Sequence, residues 1–95
     1  PAVPIIGAVV LEFRAIFPPA KSASKKDRAA MLRGQIHHTK KPDLDNLTKQ
    51  LKDAMTRLNF WGDDRQVVRT VNEKRYGEVG RWEVCVREVR EGEAI

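Results

Sequence analysis

The sequence predicts an α/β (α+β) fold in which a small mixed sheet packs against one main helix. Residues 7–17 alternate apolar and polar side chains with the period of two that is typical of a strand. Apolar residues then recur at helical spacing between 47 and 58. Two further stretches, 66–76 and 81–89, contain β-branched or alternating residues that favour strands. A chain of 95 residues is long enough for one small domain, so residues 1–95 are expected to form a single unit.

The first predicted strand is followed by a polar and basic segment. A proline pair ends the strand, and a basic loop is expected over about residues 18–41. Within this loop, Ser24 ahead of KKDRAAMLR predicts two helical turns that end at Gly34. His37 and His38 follow, and they either add a phosphate contact or a proton, or simply form part of the loop.

The main helix is predicted over about residues 46–58. Asp45 or Asn46 is expected to cap its start, and Asn59 is expected to end it. Five residues at helical spacing form its predicted apolar face: Leu47, Leu51, Ala54, Met55 and Leu58.

The segment after the helix contains bulky residues whose burial the sequence leaves open. Phe60 and Trp61 suit core or dimer packing, and stacking on unpaired bases is the alternative. The sequence GEVGR, residues 77–81, predicts a hairpin-like turn between the last two strands. In the last strand, Trp82 is interpreted as a core residue and Cys85 as a buried or half-buried one.

The whole chain has a net charge of +5, and its excess of basic over acidic residues is concentrated in the first part. Residues 1–42 hold eight Lys or Arg against two acidic residues, whereas residues 43–95 hold ten against eleven. This pattern favours a polyanionic partner such as nucleic acid, although a solvated basic loop is the simpler alternative. The expected DNA contacts are Lys25, Lys26, Arg28, Arg33, Lys40, Lys41, Lys74 and Arg75.

The composition also indicates the cellular compartment and the binding partners of the protein. The single cysteine, Cys85, excludes an internal disulfide and a zinc cluster built on cysteines. The sequence has no run of 18 apolar residues and lacks the basic leader and cleavage site of a signal peptide. We therefore expect a cytoplasmic protein with no membrane partner. Because the chain begins at Pro1 rather than at Met, we expect the natural protein to be longer at its N-terminus.

The stretch KPDLDNLTK, residues 41–49, places two aspartates at the start of the main helix. In an extended entry to the helix, Asp43 and Asp45 would point the same way. Lys49 lies one turn after Asp45, where it could contact a scissile phosphate. Carboxylates that lie close together favour the binding of Mg²⁺, and bound Mg²⁺ supports phosphodiester cleavage. The competing interpretation is that these residues form helix caps and a surface ion pair.

A second acidic pair, Asp63 and Asp64, follows the helix. Its simplest interpretation is turn chemistry. The helix is roughly 20 Å long, so the sequence alone does not bring Asp64 to Asp43 within one subunit. A second subunit or a bent connection is needed.

The combined motif resembles the RusA family of Holliday-junction resolvases, most clearly over residues 41–76. The residues that carry the resemblance are Asp43, Asp45, Asn46, Lys49, Trp61, Asp63, Asp64, Gln66 and Val67. It implies a homodimer that cleaves four-way or branched DNA by paired nicks, with Mg²⁺ or with Mn²⁺ as a substitute, in recombination and repair. It also implies a further strand and helix ahead of Pro1.

The resemblance assigns a role to each acidic residue of the motif. Asp43, Asp45 and Asp64 are the expected catalytic metal ligands, Asp63 is a further candidate ligand, and Lys49 is the catalytic lysine. Two alternatives stay open. One is a dimer that binds branched DNA without cleaving it. The other is a metal-dependent nuclease or phosphatase that acts on RNA or on another phosphoester.

Overall fold

A computed structural model describes residues 3–95 of the chain. Its elements, in chain order, are strand β1 (Val9–Phe17), helix α1 (Lys25–Leu32), helix α2 (Leu44–Arg57), a 3₁₀ turn (Asp64–Gln66), strand β2 (Val67–Tyr76) and strand β3 (Arg81–Glu88). The predicted α+β fold with a small mixed sheet is confirmed. Among residues 3–95, no helix combines the length and the apolar character that a membrane span requires.

The sheet has the strand order β2-β1-β3, so the first strand in the chain is the central one. Strand β1 runs parallel to β2 and antiparallel to β3. The predicted hairpin-like turn at residues 77–81 is therefore wrong. Strands β2 and β3 do not pair with each other, and the connection between them crosses the end of β1.

Two glycines allow this connection to pass close to β1. The Gly77 N–H donates to the carbonyl oxygen of Phe17 at 3.0 Å. A Cβ atom on Gly77 would lie 2.5 Å from Cγ2 of Ile16, and one on Gly80 would lie 3.1 Å from Cδ of Pro18. Glycine fits here because it has no side chain that would collide with the strand beneath.

The core lies between one face of β1 and helix α2. Its buried residues are Val9, Leu11, Phe13, Ala15, Leu47, Met55 and Trp61. Trp61 is fully buried, and its Nε1 donates to Oγ1 of Thr56 at 2.8 Å. Phe60 is half-buried against the same cluster. Trp61 therefore serves the core, and its ring is not free to stack on bases.

Helix α2 begins at Leu44, two residues earlier than predicted. Its N-cap is Asp43, not Asp45 or Asn46 as expected, and Asp43 Oδ1 accepts the Asn46 N–H at 2.8 Å. A cap at Asp43 puts Leu44 one turn before Leu47, where it packs against the core. Asp45 consequently lies in the first helical turn, and not in an extended entry to the helix.

The end of α2 is formed by its predicted breaker. Asn59 has a φ of 63°, which is the left-handed conformation that commonly follows a helix. The N–H groups of Asn59 and Phe60 donate to the carbonyl oxygens of Thr56 and Met55, each at 3.1 Å. The helix therefore ends at Arg57. Leu58, predicted on the apolar face, is the C-cap and is 63% exposed.

The short helix α1 and strand β3 differ in how well the sequence predicted them. Ser24 caps α1 by accepting the Asp27 N–H at 3.0 Å, as expected. In β3, however, Trp82 is 45% exposed and Cys85 is exposed, so both burial predictions are wrong. Trp82 is exposed because β3 is an edge strand and α2 packs over β1 and β2, and Cys85, which pairs with Glu12, lies on the opposite face of the sheet.

Candidate functional site

Three of the predicted catalytic residues lie together at the start of α2. The side chains of Asp43, Asp45 and Lys49 are all exposed to solvent. Asp43 caps the helix, Asp45 lies in the first turn, and Lys49 follows Asp45 by one turn. The positive end of the helix dipole favours carboxylates at this position. This end of α2 thus presents two carboxylates and one ammonium group to an incoming ligand.

Strand β2 holds this end of the helix in place. Lys74 Nζ donates to the carbonyl oxygens of Lys40 at 2.8 Å and Pro42 at 3.0 Å. Asn72 Nδ2 donates to Oγ1 of Thr48 at 2.8 Å, which ties the second turn of α2 to the same strand. Lys74 was predicted to contact DNA, and two of its three donors are already used within the protein. Its contact with DNA stays a prediction.

Asp64 lies at the opposite end of α2. It lines a concave surface of about 350 Å³ together with Asp53, Thr56, Arg57, Gly62 and Asp63. Asp63 is the N-cap of the 3₁₀ turn. The backbone N–H of Arg65, followed by the charge of its guanidinium group, holds the pKa of the Asp63 carboxyl below its usual range. Asp63 is therefore already engaged by the turn that it caps.

Gln66 fixes the turn that carries Asp64, a role that the sequence analysis missed. Its Oε1 accepts the N–H groups of Gly62 at 2.8 Å and Asp63 at 3.0 Å. Its Nε2 lies within 3.0 Å of three carbonyl oxygens in the segment 5–7, which leads into β1. The signal was present in the sequence, because Asp followed three residues later by Gln is a capping-box pattern.

The predicted metal ligands do not form one cluster within a chain. Among residues 3–95, no three carboxylate, imidazole or thiol groups lie where they could hold a metal ion together. Asp43 and Asp45 lie before and within the first turn of α2, and Asp64 follows its last turn. A single chain as described therefore does not fit Mg²⁺ with these three ligands.

A cleft of about 410 Å³ at the edge of β2 collects several of the predicted DNA contacts. Arg33, Lys74 and Arg75 line it, with both histidines beside them. Because Lys74 and Arg75 are neighbours on a strand, their side chains leave opposite faces of the sheet, and Arg75 Nε pairs with Glu73 at 3.0 Å. The other predicted contacts are exposed on α1 or ahead of α2: Lys25, Lys26, Arg28, Lys40 and Lys41.

His38 belongs to the wall of this cleft. Its ring stacks on Phe17 with a centroid distance of 4.2 Å and meets Tyr76 edge-on at 5.3 Å. Burial, and then the positive charge of Lys74, lower the pKa of His38. These contacts support the interpretation of His38 as part of the packed loop.

A cleft lined by basic residues on a small domain is the electrostatic feature typical of proteins that bind nucleic acids. The Endodeoxyribonuclease RusA family matches residues 1–87 of the chain. The chain belongs to this family, and the resemblance described from the sequence is confirmed.

Two relatives illustrate the family. An uncharacterized protein of Bacillus subtilis (strain 168), YqaN, is 40% identical over 87 residues, which cover 90% of this chain and 61% of that protein. The crossover junction endodeoxyribonuclease rusA of Lactococcus phage r1t is 45% identical over 51 residues, which cover 54% of this chain and 39% of that protein. The chain thus spans less than two thirds of the length of either relative. No solved structure matches it.

Proposed function

We propose that this protein is a Mg²⁺-dependent, structure-selective endodeoxyribonuclease that resolves four-way (Holliday) DNA junctions by paired nicks in recombination and repair. The observation that carries the proposal is the family match over residues 1–87, which includes all the acidic residues of the motif and Lys49. The phage relative, named as a crossover junction endodeoxyribonuclease, supports the same substrate. Such an enzyme would act in the cytoplasm as a homodimer.

The proposed roles are those that the family resemblance assigns to these residues. Asp43, Asp45 and Asp64 act as metal ligands, with Asp63 as a further candidate, and Mn²⁺ would substitute for Mg²⁺. Lys49 is exposed beside Asp45 and is free to bind the phosphate to be cleaved. In a junction, two strands are cut at positions related by two-fold symmetry, so a two-fold dimer supplies one site for each strand.

The exposed basic residues supply the affinity for DNA. On α1 these are Lys25, Lys26 and Arg28, and Arg33 follows at the wall of the cleft. Contacts of this kind bind phosphates and not bases, so they give affinity for the shape of a junction without reading its sequence. Because counterions are released on binding, the affinity should fall steeply with salt.

A cleavage assay with a matched variant tests the proposal. The protein is incubated with a labelled four-way junction and with plain duplex, in Mg²⁺ and in EDTA. We expect symmetrical nicks only in the junction and only with Mg²⁺. Asp45→Asn should abolish nicking and keep or tighten junction binding, because it removes one negative charge that faces phosphate. Asp27→Asn, at an exposed position on α1, should nick at the normal rate.

One observation favours a second candidate function. Because the described residues of a single chain hold no three-ligand cluster, a non-catalytic dimer that binds branched DNA is the main alternative. Junction binding without nicking in any divalent metal would support this alternative and contradict the proposal. Nicking of RNA or of plain duplex in preference to the junction would instead indicate a nuclease for another nucleic acid.

A further inference from the structure

The segment 37–42 leads from the basic cleft into α2, and its backbone has few fixed contacts. It belongs to no helix or strand. Within the described part of the chain, residues 3–95, its backbone makes no hydrogen bond to another backbone group. Asp43, the N-cap of α2, follows this segment directly. A group that holds the segment therefore also sets the position of Asp43.

The side chain of Lys74 provides two hydrogen bonds to this backbone. Its Nζ donates to the carbonyl oxygen of Lys40 at 2.8 Å and to that of Pro42 at 3.0 Å. Pro42 is the residue immediately before Asp43. Because the donor is an ammonium group, each bond is about twice as strong as one between neutral groups. Lys74 therefore fixes the path of the chain just ahead of the helix.

Lys74 is the middle one of three residues on β2 that contact this part of the chain. Residues 72, 74 and 76 are spaced two apart, so their side chains leave the same face of the sheet, the face that carries α2. Asn72 Nδ2 donates to Oγ1 of Thr48 at 2.8 Å, and the ring of Tyr76 meets that of His38 at 5.3 Å. The strand thus holds the chain on both sides of the acidic pair.

Lys74 also lies between the basic cleft and the acidic residues. It is half-buried, and it lines the cleft of about 410 Å³ together with Arg33 and Arg75. An ammonium group has three N–H donors, and the two carbonyl oxygens use two of them, so at most one remains for a phosphate. This arrangement favours a role in placing the acidic residues over a role in binding DNA.

We propose that Lys74 is a positioning residue of the candidate site. Its ammonium group holds the backbone ahead of Asp43, and it thereby sets where the carboxylates of Asp43 and Asp45 lie relative to a bound phosphodiester. This inference rests on the proposed function, in which these carboxylates act on DNA. A misplacement of a reacting group by about 1 Å costs roughly 100-fold in rate. A residue that fixes the start of α2 therefore has a large effect on the cleavage step.

Single-turnover nicking separates placement from DNA binding. With enzyme in excess and the junction saturated, the nicking rate does not depend on affinity, which is measured separately by fluorescence anisotropy in EDTA. Lys74→Met keeps the length of the side chain and removes the ammonium group. Its saturated nicking rate should fall by about 10–100-fold. Its junction affinity should fall by at most about fivefold, because only one partly exposed charge is lost.

Two further variants separate placement from charge. Arg75→Met removes a positive charge from the same cleft but no bond to the segment 37–42, so it should lower the affinity more than the saturated rate. Asn72→Ala removes the neighbouring bond to Thr48 without a change in net charge, so it should lower the saturated rate and keep the affinity. If Lys74→Met does not fold, Asn72→Ala decides the question, and an unchanged saturated rate would overturn the inference.

Amide hydrogen exchange in EDTA measures the placement without metal and without DNA. The Asn46 N–H donates to Oδ1 of Asp43 at 2.8 Å, so its exchange rate reports on the cap. In Lys74→Met this N–H should exchange about tenfold faster. The Phe60 N–H, at the other end of α2, is the internal control and should keep its rate. In Arg75→Met both rates should be unchanged.

The two measurements also separate this inference from the proposed function. If Lys74→Met nicks at the wild-type saturated rate and only binds the junction more weakly, Lys74 is a DNA contact, and the inference is wrong while the proposed function stands. If wild-type protein cuts no junction, the proposed function is wrong. The exchange rate of Asn46 then still decides whether Lys74 holds the cap, and an unchanged rate in Lys74→Met would overturn the inference.

Discussion

Replacing Gln66 with alanine should detach the turn that carries Asp64 from the start of the sheet. The Gln66 amide connects this turn to the segment 5–7 ahead of β1. Its oxygen accepts the N–H groups of Gly62 and Asp63, and its nitrogen faces the carbonyl oxygens of the segment 5–7. An amide has two N–H donors and one oxygen that accepts twice, so at most four of these five contacts are full hydrogen bonds at one time.

The expected loss follows from this count. A typical intramolecular hydrogen bond contributes about 0.5–1.5 kcal/mol, so the loss of four such bonds in Gln66→Ala should lower the free energy of unfolding by about 2–6 kcal/mol. Gln66→Glu should lower it at least as much, although it keeps the size of the side chain. The reason is that its carboxylate would face three carbonyl oxygens with no proton to donate.

Urea denaturation followed by tryptophan fluorescence measures both changes, because Trp61 is fully buried and becomes exposed on unfolding. Gln50→Ala is the matched control, since Gln50 is exposed on α2, and its effect should stay within about 0.5 kcal/mol. A loss below about 1 kcal/mol for Gln66→Ala would refute the reasoning. So would a Gln66→Glu variant as stable as the wild-type protein, because its shape alone would then suffice.

Three further perturbations test other parts of the structure. Lys74→Ala should weaken junction binding and expose the segment ahead of α2 to proteolysis. The reason is that the ammonium group of Lys74 donates to two carbonyl oxygens in that segment. Arg75→Ala, the control, should leave the proteolysis pattern unchanged. The side chain of Arg87, and then the backbone N–H of Arg90, lower the pKa of Glu93 from 4.5 to about 2. The stability that this carboxylate contributes should therefore be complete above pH 4.5 and be lost as the pH falls through 2. Amide hydrogen exchange of the C-terminal residues measures this stability. Glu93→Gln should abolish its dependence on pH. Gly77→Ala should lower the melting temperature, because its methyl group would collide with a buried isoleucine; an unchanged melting temperature would contradict the close approach over β1.

Periodicity predicted the elements of this fold because their signals are local. The alternation in β1, the apolar spacing in α2 and the cap at Ser24 each depend on residues within a few positions of one another. Asn59 was identified as the breaker of α2 for the same reason. The start of α2 was placed two residues late because Asp43 and Asp45 are both good caps. The choice between them depends on Leu44 reaching the core.

Strand pairing and the burial of residues at the sheet edge could not be predicted from such local signals. The sequence between β2 and β3 resembles a hairpin turn, but the partner of both strands is β1, which lies far away along the chain. Trp82 lies on the face of β3 that points to the α2 side, so its burial depends on whether α2 extends over β3, whereas Cys85 lies on the opposite face, which α2 does not cover. The roles of the acidic residues stay predictions for the same reason, since the distance between them depends on how whole elements are arranged.

The central position of β1 has a consequence for how the protein is made. Its two partners begin at Val67 and Arg81, so β1 leaves the ribosome with both edges unpaired and stays so until most of the chain has followed. Pairings this distant in sequence form slowly, and an apolar strand with open edges invites association with other chains. A fragment that stops before β2 would leave β1 with neither of its partners. Both edges of β1 are paired only in a chain that extends through β3.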